Sequence, residues 1–146
     1  MSDRFVTQTT FGGPESTEPG NCWAACVATM LNIPLNAVPD TLRTETDADK
    51  RWEIYQKFLA GFNLRPISLR VPEDHLSAYW DALGPAIVHI AGPSPRGHWN
   101  HGVIYRNGAL WHDPHPERKG VINVAELELW VPIDPALQPR LQPRAR

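Results

Sequence analysis

Residues 20–26 read Gly-Asn-Cys-Trp-Ala-Ala-Cys, "GNCWAAC". Asn21 is a favourable helix N-cap, and the run that follows, "CWAACVATMLN", is rich in residues that form helices readily. Ile33 precedes Pro34 and is therefore pushed out of the α region, which ends the run. The stretch predicts a helix with Cys22 in its first turn and Cys26 one turn inside. Unpaired backbone N–H groups and the helix dipole favour an anion at that end, so Cys22 has better access to its thiolate than an average cysteine. A blander reading also fits: both cysteines are small buried hydrophobes at the edge of a core. Only a thiol supplied with a base can do nucleophilic chemistry.

Outward from this helix the chain divides into two parts. Residues 4–10 are extended in character, and "FGGPESTEPGN" is a surface loop. After the first helix, "IPLNAVPD" is irregular. A second helix is predicted over 47–60, with Asp47 and Asp49 at its positive end, an apolar face of Trp52, Tyr55, Phe58 and Leu59, and Gly61 as its stop. Residues 65–71 alternate as a strand does. Pro72 opens a short helix with the stripe Leu76, Tyr79, Trp80 and Leu83. The period then changes to two: strands are predicted at 85–92 and 127–133, with a hairpin over 101–113 around Asn107-Gly108. The fold class is α+β, with helices first and an antiparallel sheet afterwards. A chain of 146 residues supports one domain over 1–133, and the Pro- and Arg-rich segment 134–146 reads as a flexible tail.

Composition narrows the function. With 14 Lys+Arg against 16 Asp+Glu there is no basic field of the kind that attracts nucleic acid. The start lacks the basic-then-apolar pattern of a secretory signal, and no apolar stretch approaches a membrane span, so the expectation is a cytoplasmic protein. The two cysteines should then be free thiols.

Six histidines could serve as a base: His75, His89, His98, His101, His112 and His115. His75 falls on a helix and His89 inside an apolar strand, where a structural role is expected. The others cluster around the hairpin, which also carries Asp113. A three-residue loop, Arg106-Asn107-Gly108, with Gly108 left-handed, would pair Tyr105 with Ala109 and set His101 directly opposite Asp113. A two-residue loop, Asn107-Gly108, would shift the register by one and send Asp113 to the other face. A Cys-His-Asp site therefore predicts the longer loop.

"GNCWAAC" resembles the nucleophile segment of papain-like cysteine peptidases, whose catalytic cysteine opens the central helix. The order Cys, then His at a strand start, then Asp on the next strand is also similar. More narrowly, "QTTFGG", "GNCWAACVATML", "NHGVIY" and "HDPHP" look like the small C39-like peptidase domains, as islands between residue 8 and about residue 116. The resemblance implies Cys22 as nucleophile, His101 as general base, Asp113 as its orienting group, and a glutamine upstream of the cysteine that helps hold the oxyanion. Gln8 is the only glutamine before Cys22, at a longer separation than the family's. The chemistry implied is acyl transfer on a peptide or protein substrate, without a cofactor. Trp23, Trp99 and Asn21 are candidate substrate contacts; Trp99 also fits core packing, which is the expectation for Trp111. "ERKG" (117–120) reads as a solvated turn.

Two other readings stay open on the sequence. "HWNH" and "HDPH" each space two histidines by three, and with Cys22 and Cys26 they could bind zinc, although the C-x3-C lies in a predicted helix and matches none of the strong zinc spacings. The same fold also hosts transpeptidases, deamidases and proteins that only bind peptides.

Overall fold

A computed structural model of the chain describes residues 5–13 and 19–137. The helices α1 (Cys22–Leu31), α2 (Thr41–Thr44), α3 (Ala48–Ala60) and α4 (Leu76–Leu83) accompany five strands: β1 (Leu64–Leu69), β2 (Ile87–Pro93), β3 (Asn100–Arg106), β4 (Ala109–His112) and β5 (Glu126–Pro132). The strands form one sheet in the order β1-β5-β2-β3-β4, and every neighbouring pair is antiparallel. This is the α+β arrangement expected, with most of the helix before the sheet.

Residues Ala24 to Leu31 of α1 are all buried. Their small side chains allow the helix to sit close against the sheet and leave it no polar face. It ends at Asn32, which adopts the left-handed conformation (φ 56°) and directs its N–H back to the carbonyls of Ala28 and Thr29. Asp47 caps α3 as expected, accepting from the N–H groups of Asp49 (3.0 Å) and Lys50 (3.1 Å). Tyr55 and Leu59 of α3 are fully buried beside Val27 and Leu31 of α1, each such side chain contributing roughly 1.5–3 kcal/mol by leaving water. On the opposite face of the sheet, Trp80 and Leu83 of α4 pack on Val88, Ile90, Val103 and Leu127.

Residues 5–13 stand outside the sheet; they are tied to α1 by the Val6 N–H on Thr29 Oγ1 (2.9 Å) and to the hairpin by the Gln8 N–H on Pro114 O (3.0 Å). Gly61 is the C-cap of α3, as expected, in a right-handed conformation, and the chain reverses at Asn63 (φ 60°). Asn63 also holds the start of the supposed tail: its Nδ2 donates to the carbonyls of Asp134 and Leu137, each at 3.1 Å, and its Oδ1 accepts from the Asp134 N–H at 3.0 Å. Residues 134–137 are thus an anchored turn, and 138–146 lie outside the described residues.

The hairpin departs from the expected loop. Arg106 pairs with Ala109 and Tyr105 with Leu110, around a two-residue turn in which Asn107 (φ 53°) and Gly108 (φ 75°) are both left-handed. That is the primed turn an Asn-Gly pair favours, because its twist matches the strands it joins. The next pair is Ile104 with His112, so Trp111 is an extra residue, a β-bulge. The bulge shifts the register by one more residue and returns Asp113 to the face that carries His101.

Candidate active site

Cys22 opens α1, half-buried, while Cys26 is sealed in the core against Met30 and Ile104. Burial, with the nearby Cys22 sulfur and carboxylates adding to it, pushes the Cys26 thiol well above its ordinary range. The two cysteines that look alike in sequence therefore differ in kind: one faces a cleft, the other is a core residue.

His101 stands in β3 across from the start of α1, 3% exposed. Its Nε2 donates to Asp113 Oδ1 at 2.7 Å, and the ring also hydrogen-bonds the Cys22 thiol. With Nε2 committed to the carboxylate, Nδ1 is the nitrogen left for sulfur. Asp113 is 2% exposed and accepts two further bonds, from the His115 N–H on Oδ1 (2.8 Å) and from the Gly120 N–H on Oδ2 (2.7 Å). The segment expected to be a solvated turn thus supplies one donor to the orienting carboxylate.

The electrostatics follow. Burial disfavours the Cys22 thiolate, but its hydrogen bond to His101, the charge of that ring and the N–H groups of Gly102 and Trp23 outweigh burial and hold the thiol below its ordinary range. Burial likewise disfavours imidazolium at His101, yet the bonds to Asp113 and Cys22 raise it to about 9. For Asp113, burial is overcome by His101 and the two backbone N–H groups, and its carboxyl is lowered. All three shifts favour a thiolate-imidazolium pair held by a carboxylate.

Asn21 does not cap α1 through its side chain. Instead its Oδ1 accepts from the N–H groups of Thr9 (2.9 Å) and Thr10 (3.0 Å), its Nδ2 donates to Thr9 Oγ1 (2.8 Å), and its own N–H donates to Thr10 O (3.0 Å). This clamp brings the segment carrying Gln8 back to the helix start despite the long loop between them. It also occupies the Asn21 side chain, which is buried and lines a different depression with Leu35 and Val38. Asn21 is therefore a positioning residue, not a substrate contact.

The cleft has two lobes with Cys22, Asn100 and His101 on the wall of both. The smaller lobe, about 300 Å³, includes Gln8, Arg96 and Trp99. Gln8 Nε2 donates to Thr10 O at 2.9 Å, and its buried Oε1 meets no hydrogen-bond partner among the described residues. Trp99 lies over Gly97 and against Gly13: a Cβ on Gly97 would fall 1.9 Å from the indole, so a larger residue there would displace the Trp99 ring. The larger lobe, about 490 Å³, is bounded by Trp23, Trp52, His89 and Glu126 among others. Trp111 packs with Phe5 and the Cys26 cluster, as expected of core.

His89, for which a structural role is expected, is buried and also lies on the wall of the cleft. In β2 it is aligned with Glu128 of β5, a pairing between distant segments that no local pattern of the sequence shows.

A zinc site would need Cys22, Cys26 and at least one histidine to converge. Among the described residues no group of three or more His, Cys, Asp or Glu side chains could hold a metal ion. Compared with known proteins, the chain matches no family model, no curated protein and no solved structure.

Proposed function

We propose that this chain is a cysteine-dependent acyl-transfer enzyme with a papain-like arrangement, a peptidase or amidase hydrolysing a peptide or isopeptide bond. One observation carries the reading: a single imidazole bridges the half-buried Cys22 sulfur and the buried Asp113 carboxylate, in the wall of a cleft. In this mechanism the Cys22 thiolate attacks the carbonyl carbon. The oxyanion forms beside the first-turn N–H groups of α1 and the Gln8 amide. His101 then gives its proton to the leaving amine, and water, deprotonated by the same ring, resolves the thioester and regenerates the thiol. Asp113 keeps the ring in the tautomer and orientation these transfers need.

A working thiol nucleophile also favours a reducing compartment, consistent with cytoplasm. No described helix is long and apolar enough to cross a membrane.

The test is stoichiometric labelling with iodoacetamide and with a peptide aldehyde at pH 6.5. Cys22 should react while Cys26 stays unmodified, and Cys22→Ala should abolish capture of both reagents. Equal labelling of wild type and Cys22→Ala would overturn the assignment.

A further inference from the structure

The acyl-transfer chemistry uses one buried histidine and leaves another, His89, without a task. His89 is 5% exposed, its ring is stacked on Trp23 with the planes 3° apart, and it borders the larger lobe of the cleft. Its Nδ1 faces Glu128 Oε2 at 3.6 Å. Glu128 is itself held: its Oε1 accepts from the Tyr55 hydroxyl and from Trp130 Nε1 (2.8 Å). Burial works against the Glu128 carboxylate, but His89, Tyr55 and Trp130 together keep it in the charged form.

The other ring nitrogen has no such partner. Among the described residues, Nε2 of His89 meets no hydrogen-bond partner although it is buried, an arrangement that costs stability unless something else satisfies it. Its direction is given by Gly102: a Cβ there would lie 2.9 Å from Nε2 and 3.7 Å from the Trp23 Cα. The nitrogen therefore points at the strip of cleft floor between Trp23 and Gly102, next to the residues that flank the sulfur. A glycine at 102 keeps that strip open.

We infer that the larger lobe is a specificity pocket in which His89 Nε2 accepts a hydrogen bond from an uncharged side chain of the substrate, a carboxamide such as glutamine or asparagine. In the neutral ring, a carboxylate facing Nδ1 favours the tautomer with its proton on that side, which leaves a lone pair on Nε2. A ligand group that donates is thereby preferred. The body of the side chain would lie between Trp23 and Trp52, and its carbonyl oxygen has Arg51, on the same wall, as a donor. An acidic side chain would meet Glu126 and Glu128 in the same lobe. The inference rests on the acyl-transfer reading only for calling the bound molecule a substrate; the pocket and its hydrogen-bond polarity stand apart from it.

The experiment uses full-length protein labelled with nitrogen-15 in histidine, and two probes: N-acetylglutamine methylamide, which donates from its side chain, and the corresponding glutamate γ-methyl ester, which is neutral and only accepts. In wild type, Nδ1 of His89 should carry the proton, and the glutamine probe should shift the Nε2 resonance with an affinity about fivefold or more above the ester, the scale of one net hydrogen bond. Glu128→Gln keeps an oxygen for Tyr55 and Trp130 but presents N–H to His89 Nδ1. The ring must then carry its proton on Nε2, and the preference should invert in favour of the ester. His89→Gln, with Glu128 intact, should change the ratio between the probes without inverting through a ring tautomer, and it provides a second variant should Glu128→Gln not fold. Equal binding of both probes to wild type, no response of the His89 ring to either, or an Nε2-protonated ring in wild type would each overturn the inference. Failure of the acyl-transfer reading looks different: Cys22 would not label, whatever His89 does.

Discussion

His101 and Asp113 meet at 2.7 Å across the hairpin because Trp111 is an extra residue in β4. The two-residue turn alone would place their side chains on opposite faces, and the bulge restores the parity. Continued one step beyond Ile104–His112, the register sets Asp113 against Val103, so it reaches His101 diagonally. Bulges re-aim side chains in this way beside functional sites.

Asp113→Asn tests what the carboxylate adds. An asparagine can still accept from His101 and the His115 N–H on one oxygen, but its NH2 group must then face the backbone N–H of Gly120. The expected result is a loss of about 1–3 kcal/mol in denaturant unfolding and at least a tenfold fall in Cys22 alkylation rate at pH 6.5, since one unit of thiol pKa is a tenfold change in thiolate.

The pH profile follows from the directions of the shifts. Cys22 alkylation should rise with pH through a midpoint below the ordinary thiol range, because the thiol is lowered despite burial by its bond to His101. Turnover should fall again as pH passes about 9, where His101 loses its proton. In His101→Ala the alkylation midpoint should move up, with burial opposed only by the N–H groups of Gly102 and Trp23.

Stability should carry the same signature. His101, raised in the folded state, contributes stability that is complete below its unfolded pKa of about 6.5 and is lost as pH rises through about 9. Cys22, lowered in the folded state, acts in the opposite sense over that alkaline window. The two offset in wild type, so Cys22→Ser should show a Tm that falls more steeply between pH 7 and 9. Parallel Tm curves for the two proteins would contradict the ion pair.

Asn21→Ala and Gln8→Ala should separate positioning from chemistry. Removing Asn21 deletes three side-chain hydrogen bonds to Thr9 and Thr10; thermal and denaturant unfolding should report a loss of roughly 1–3 kcal/mol. Gln8→Ala should leave iodoacetamide labelling of Cys22 nearly unchanged. Peptide-aldehyde capture, which forms a tetrahedral oxyanion, should weaken by about tenfold to a hundredfold.

Gly108→Val should destabilise the hairpin by about 1–3 kcal/mol. Its φ of 75° disfavours a branched side chain, and a Cβ there would lie 3.0 Å from the Trp80 ring. Unfolding of the variant by denaturant is the measurement.

What the sequence determined by itself was local. The α1 start at Cys22 and its stop before Pro34, the cap at Asp47, the place of the hairpin around Asn107-Gly108 and the strand periods all follow from dihedral preferences and hydrogen bonds between near neighbours, so they were legible without the fold. Only the tertiary structure decided that Trp111 would bulge, that Asn21 would clamp Thr9 and Thr10 in place of capping its helix, that Asn63 would hold residues 134–137, and that His89 would border the cleft beside Glu128. Each of these joins segments separated by at least several residues and usually by tens, where the choice depends on which surfaces must be buried together and which polar groups are then left to find partners. No local pattern encodes that competition.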